Sequence, residues 1–160
     1  QRSTGRLTAP DGAPGRGFAA LFEHSPIAAE TTDDFTTAAW RKLVVNAAGV
    51  VQALTGQPAR VVHDERMGRL VHDLAAEAAA VGRAEGARLD ADIAEATLTR
   101  LRASLPDGMN SMGADRVAGR PMEIDARNGV IVRLGKKHGI ATPLHAMAVA
   151  ILENVAAPPA

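Results

Sequence analysis

Cysteine and tyrosine are both missing from this 160-residue chain, and aromatics amount to one Trp and three Phe. Without cysteine there are no disulfides, no thiolate catalysis and no cysteine zinc sites. The scarcity of aromatic rings argues against a base-stacking platform for single strands. Charge of one sign is also lacking: eighteen basic residues face eighteen acidic ones. No global bias therefore points to nucleic acid or to a membrane surface. No apolar run approaches the roughly 18 residues of a membrane span. The five histidines (24, 63, 72, 138 and 145) show no HExxH or comparable spacing, so no metal is expected. His63 and His72 read as solvated on a charged helix face. Gly12-Ala13-Pro14-Gly15-Arg16-Gly17 is no dinucleotide fingerprint, because its glycines are out of order, a proline interrupts them and no strand is expected before them. Phosphate-binding GxxxxGK[ST] and nucleophile-elbow GxSxG motifs are missing too.

What is present is helical patterning in an alanine-rich chain. Residues 1–17 are rich in Gly, Pro and Arg and read as a linker, and 1–30 as a remnant of a preceding segment. A short helix is expected over Phe18–His24 and a connector over Ser25–Thr32, with Thr31, Thr32 and Asp33 as N-cap candidates. Residues 34–55 are apolar on nearly every side and predict a central buried helix ended by Gly56 and Pro58. Further helices are expected at 63–85 with Gly86 as its stop, at 90–103 capped by Asp90, at 122–138 ended by Gly139, and at 143–156 opened by Pro143. Residues 106–121 read as a loop holding about one helical turn, and 157–160 as a disordered tail. The chain is read as an all-α helical domain over 31–156. A start at Gln1, with no methionine and no signal-like segment, suggests a chain cut from something longer.

Two polar clusters stand out. Lys42 and Asn46, four residues apart, share one face of the first long helix, with Gly49 and Ala53 leaving room beside it. Burial would lower the lysine pKa and a nearby carboxylate would raise it, a balance that suits a general acid near neutral pH. The second cluster holds Ser111, Asp115, Glu123, Asp125 and Asn128-Gly129. Local roles compete with binding: Lys42 snorkelling to solvent, Ser111 capping a helix near Met112, Glu123 favouring the helix start at 122 by its charge. Asp115 and Asp125 are by default solvated or paired with Arg116, Arg120 or Arg127. Gly129 inside a helical stretch costs roughly 1 kcal/mol against Ala, which suggests close approach of another backbone. The methionines at 109, 112, 122 and 147 read as core filler.

Five motifs in order carry a resemblance. They are W-x-K-L-x-x-N at 40–46, L-x-x-E at 74–77 with Gly86, S-M-x-x-D at 111–115, G-R-x-x-E-I-D-x-x-N-G at 119–129 and G-I-x-T-P at 139–143. Over residues 30–153 they resemble the C-terminal domain of the ketopantoate reductase family. The resemblance implies an all-α domain of the 6-phosphogluconate dehydrogenase C-terminal-like type, following an N-terminal Rossmann domain. It implies an NADPH-dependent, cytoplasmic enzyme of pantothenate and coenzyme A biosynthesis that reduces 2-dehydropantoate to pantoate. The cofactor would be held mainly by the N-terminal domain, so this piece alone is expected to be inactive. By motif, Lys42 is similar to the catalytic lysine and Glu123 to the carboxylate that places substrate and lysine. Asn46 and Ser111 resemble substrate-binding groups, and Asp115 an acidic residue near them.

The pattern departs at Val50, where the family commonly has a second Asn, and after Pro58, where Ala59 stands. These departures leave the 2-oxo acid open. A β-hydroxyacid dehydrogenase and a non-catalytic helical dimerisation module are the alternatives, and a homodimer is compatible with each.

Overall fold

The structure is a computed structural model that describes residues 5–156. Expectations for residues 1–4 and for the tail at 157–160 fall outside the described residues. The described chain begins with two strands rather than a linker. β1 (Arg6–Pro10) and β2 (Ala28–Thr32) pair in parallel, from Arg6 opposite Ala28 to Pro10 opposite Thr32. A parallel pair needs a crossover, and α1 (Ala13–Ala20) supplies it. The glycine run therefore does follow a strand, and it opens a helix. Gly15 packs so closely on the strand end that a Cβ there would collide with the Pro10 carbonyl. β1 alternates only over Leu7 and Ala9 and β2 shows no period-two apolar pattern, so each is held mainly by pairing with the other, which a local reading of residues 6–10 or 28–32 does not see. The helix expected at 18–24 lies at 13–20 instead, with Pro14 in its first turn, where a missing N–H costs nothing.

The remainder is helical. α2 (Phe35–Ala48) begins at Asp34 rather than at the three earlier candidates, because the Asp34 carboxylate accepts from the Thr37 N–H at 3.1 Å. Those Thr37 hydrogen bonds, then Arg88, hold its carboxyl below the usual carboxylate range. The expected single helix over 34–55 is broken at Gly49-Val50, and α3 (Val51–Thr55) follows. The cause lies across the fold. Asn110 Nδ2 donates to the Gly49 carbonyl at 2.7 Å, and the Asn110 N–H donates to Gln52 Oε1 at 2.8 Å. A Cβ at Gly49 would sit 3.0 Å from Asn110 Nδ2. Gly56, at φ +67°, closes α3 in the left-handed form.

After a 3₁₀ turn at Ala59–His63, α4 (Glu65–Ala84) starts under the Asp64 carboxylate, which accepts from the N–H groups of Arg66 and Met67. Its inner face, Val71, Leu74, Ala75, Ala78 and Val81, is buried against α2 and α5 (Ile93–Arg102). Asp90 does not cap α5 but pairs with Arg41. Where about one turn was expected, α6 (Ser111–Val117) forms, capped by Asn110, whose Oδ1 accepts from the Gly113 N–H at 2.8 Å. A π-helical turn at Asp125–Gly129 leads into α7 (Val130–His138). α8 (Pro143–Ala156) ends the fold. Glu77 receives the free N–H groups of Leu144 and His145 at the start of α8, at 3.0 and 3.2 Å. One carboxylate on α4 thus neutralises the positive end of a neighbouring helix. At the C-terminal end of α4, Lys137 and His138 hold Glu85, whose carboxyl stays below its usual range because of them, Lys137 first.

The core gathers Trp40, Val44, Leu74, Val81, Met112, Ile131 and Leu152. Met112 meets the expectation of core filler, whereas Met147 is 45 % exposed. No helix among the described residues is long and apolar enough to cross a membrane.

Candidate active site

α2 is buried on one side only. Trp40, Val44, Ala47 and Ala48 face the core, while Lys42 is exposed and Asn46 half-buried. The helix expected to be apolar all round therefore presents its amine and amide to a cleft. That cleft, ≈ 970 Å³, is floored by α2, flanked by β1 and by Arg100 of α5, and closed opposite by Glu123, Ala126 and Arg127. The spacing of four does what the sequence implied: it puts Lys42 and Asn46 on one wall. No described residue ion-pairs or hydrogen-bonds with the Lys42 ammonium or the Asn46 amide, so both remain free to meet a ligand.

The opposite wall is organised by a residue that the sequence reading gave another role. Arg127 does not pair with Asp115 or Asp125. Its Nε and Nη2 donate to Glu123 Oε2 at 3.1 and 2.7 Å, and Nη2 also donates to Ser111 Oγ at 2.8 Å. The Arg127 side chain is only 15 % exposed. Glu123 and Ser111, twelve residues apart in sequence, are thereby joined through one guanidinium. Ser111 is not a cap, since Asn110 occupies that position. The i, i+4 spacing of Glu123 and Arg127 was the available signal for this pair.

Asp115 stands apart. It accepts from Arg120 at 2.8 Å and does not line the cleft. Asp125 pairs with Arg133. Val50 is fully buried in the core and does not line the cleft either. A Cβ on Gly129 would meet the Asp125 carboxylate at 2.6 Å, so the close neighbour is a side chain rather than another backbone.

Behind the cleft lies a polar core that the sequence reading missed. Asn128 and His145 are both fully buried. Asn128 Nδ2 donates to the Ala47 carbonyl at 3.1 Å, on the inner side of α2. His145 Nε2 lies 3.0 Å from the Leu74 carbonyl. Asn128 of the D-x-x-N-G stretch and Leu74 and Glu77 of L-x-x-E thus brace α2 and α8 instead of facing the cleft. Among the described residues, no three of His, Cys, Asp and Glu come together as a metal site would require.

Chemically, the cleft offers two cations unpaired among the described residues, Lys42 and Arg100, one free amide and a clamped carboxylate–guanidinium pair. That set suits a small anionic, oxygen-rich molecule with a carbonyl to be polarised. The family model for the ketopantoate reductase PanE/ApbA C terminal matches residues 34–156. The 2-dehydropantoate 2-reductase of Caulobacter vibrioides is 52% identical over 156 residues, 98% of this chain and 54% of that protein. A PanE/ApbA family ketopantoate reductase structure from Ralstonia eutropha aligns with a TM-score of 0.86 at 32% identity, covering 98% of this chain and 53% of that one. The dimeric ketopantoate reductase of Staphylococcus aureus aligns with a TM-score of 0.89 at 25% identity, covering 96% and 54%. The chain spans about half the length of the relatives it matches.

Proposed function

Because this chain belongs to the ketopantoate reductase family through its C-terminal domain, we propose that it is the substrate-binding and catalytic half of an NADPH-dependent 2-dehydropantoate 2-reductase. The observation that carries the reading is the meeting of Lys42, Asn46 and Glu123 in one cleft. In the proposed reaction the carbonyl carbon of the 2-oxo acid gains a hydride, and its oxygen gains a proton. Lys42 lies against that oxygen, stabilises the charge developing on it and gives up the proton. Asn46, one turn along the same helix, donates to a neighbouring oxygen of the substrate. Glu123 orients both substrate and lysine from the opposite wall.

A bound nicotinamide supplies the hydride. The donor set fits such a partner. Arg100 lines the cleft with no counter-charge among the described residues, and a guanidinium there suits the anionic oxygens of a dinucleotide. The cleft is also roomier than a small acid needs.

Incubating this chain alone with NADPH and ketopantoate should leave the NADPH absorbance unchanged, whereas the full-length protein should consume it. Steady turnover by the isolated chain would overturn the assignment of the two halves.

Self-association accompanies this reading. Met147, Ile151 and Val155 are 45, 43 and 48 % exposed and recur every fourth residue along α8. That apolar stripe supports a homodimer built on α8.

A further inference from the structure

Arg127 is the one strongly held charge in the cleft that the proposed mechanism leaves unused. A guanidinium has five N–H groups. The single N–H of Nε and the two of Nη2 are spent on Glu123 and Ser111. The two on Nη1 meet no acceptor among the described residues. Nor is Nη1 sealed away, because the buried side-chain atoms without partners are Thr97 Oγ1 and Asn128 Oδ1. An Arg whose side chain is mostly buried, fixed by three hydrogen bonds, thus keeps one fork edge unspent on a residue that lines the cleft.

Charge points the same way. Arg127 and Glu123 cancel, so Lys42 and Arg100 leave the cleft with two uncompensated positive charges, enough for a substrate carboxylate beside an anionic cofactor. A 2-oxo acid brings one negative charge, on the carboxylate next to its carbonyl. Ser111 by itself offers that carboxylate a neutral hydroxyl, and its oxygen already accepts from Arg127.

We propose that Arg127 is the specificity-determining residue that receives the substrate carboxylate through Nη1, beside Ser111. This rests on the reductase reading above and deepens it. With the carboxylate held on the Arg127 wall, the adjacent carbonyl is directed across the cleft toward Lys42 and Asn46. Arg127 thereby selects 2-oxo acids over their neutral esters and lactones. A lysine at this position would keep the charge but lack the planar fork that meets a carboxylate with two parallel N–H groups.

The test uses the full-length protein and its variants R127Q and R127K. Ketopantoate is compared with ketopantoyl lactone, in which the carboxylate is tied up. R127Q should raise KM for the acid by about tenfold or more, the loss expected for one charge-assisted hydrogen bond. KM for the lactone should change less than about twofold on the same scale. R127K should fall between, and it stands in for R127Q if that variant fails to fold. An equal loss on both substrates would make Arg127 only a clamp on Glu123 and overturn the proposal, as would no loss on either. If the wild type reduces no 2-oxo acid, it is the reductase reading that fails. The carboxylate assignment is then read by calorimetry with oxamate, an unreactive analogue. About tenfold weaker oxamate binding by R127Q supports it, and equal binding by both proteins, or none by the wild type, overturns it.

Discussion

Asn128 and His145 hydrogen-bond to each other inside the core, with Asn128 Nδ2 3.0 Å from His145 Nδ1. The second Nδ2 proton goes to the Ala47 carbonyl, so both amide protons are used. His145 Nδ1 must then accept, and Nε2 must carry the proton given to Leu74. The imidazole is neutral and its tautomer is set by its neighbours.

Burial pushes the His145 pKa below its ordinary 6.5, against smaller opposing effects from the Leu74 carbonyl and Glu77. Between the lowered folded value and the unfolded one, the unfolded chain takes up a proton that the native state refuses. Stability is therefore full above about pH 6.5 and is lost as pH falls through the folded pKa. Urea unfolding midpoints measured from pH 8 to pH 5 should decline in that window. H145Q should be less stable at pH 8 and show a shallower decline. A flat wild-type profile counts against this role of His145.

Asn128→Leu should destabilise the fold by about 1–3 kcal/mol, because it strands His145 Nδ1 without a donor and takes from the Ala47 carbonyl one of its donors, leaving it the Val50 N–H. The loss is partly offset by removing Asn128 Oδ1, a buried oxygen with no partner. Chemical denaturation with an unchanged slope would measure it. A stabilised variant would show that the network costs more than it contributes.

Gly82 lies under Trp40. A Cβ there would approach Trp40 Cε3 at 2.8 Å and Leu89 Cδ1 at 3.0 Å. Gly82→Ala gains about 1 kcal/mol of helix propensity, while overpacking costs about 1–3 kcal/mol. Net destabilisation of about 1 kcal/mol is expected from these two effects. Trp40 is the single tryptophan of the chain, so its fluorescence reports the disturbance directly. A higher melting temperature with unchanged emission would mean that the ring gives way freely.

Lys42→Ala in the full-length protein should cut kcat by about 10²- to 10⁴-fold, the usual range for losing a general acid with its charge. Ketopantoate reduction under saturating NADPH gives the number, and a near-normal rate would remove Lys42 from the chemistry.

Ile151→Glu should shift a dimer toward monomer in light scattering at micromolar concentration without unfolding it, since Ile151 is 43 % exposed. A monomeric wild type would dispose of the α8 interface.

The long helices were legible because their signals are local. The 3.6-residue period over residues 65–84, Gly139 past the end of α7 and Pro143 at the start of α8 each act within a few residues. The strands were not legible, because Arg6–Pro10 acquires its state only by pairing with Ala28–Thr32 across the α1 crossover. The break at Gly49 escaped for the same reason, being imposed by Asn110 from 61 residues away. In the cleft, the shared face of Lys42 and Asn46 followed from spacing alone. The Arg127–Glu123 pair was not legible because three arginines and three carboxylates between 115 and 127 allow many pairings, and only the turn of the backbone chooses among them.

The π-helical turn at Asp125–Gly129 works as a phase shifter. It holds one more residue than a regular helical turn, and each α-helical residue rotates the chain by about 100°. Upstream of it, Glu123 looks into the cleft; within and beyond it, Asn128 and Ile131 look into the core. Removing a single residue from this turn would leave a straighter helix and swing one set of side chains about a quarter of a circle relative to the other. Chain length here is therefore as restrictive as residue identity: a one-residue gap within 125–129 would unseat the carboxylate or the buried amide.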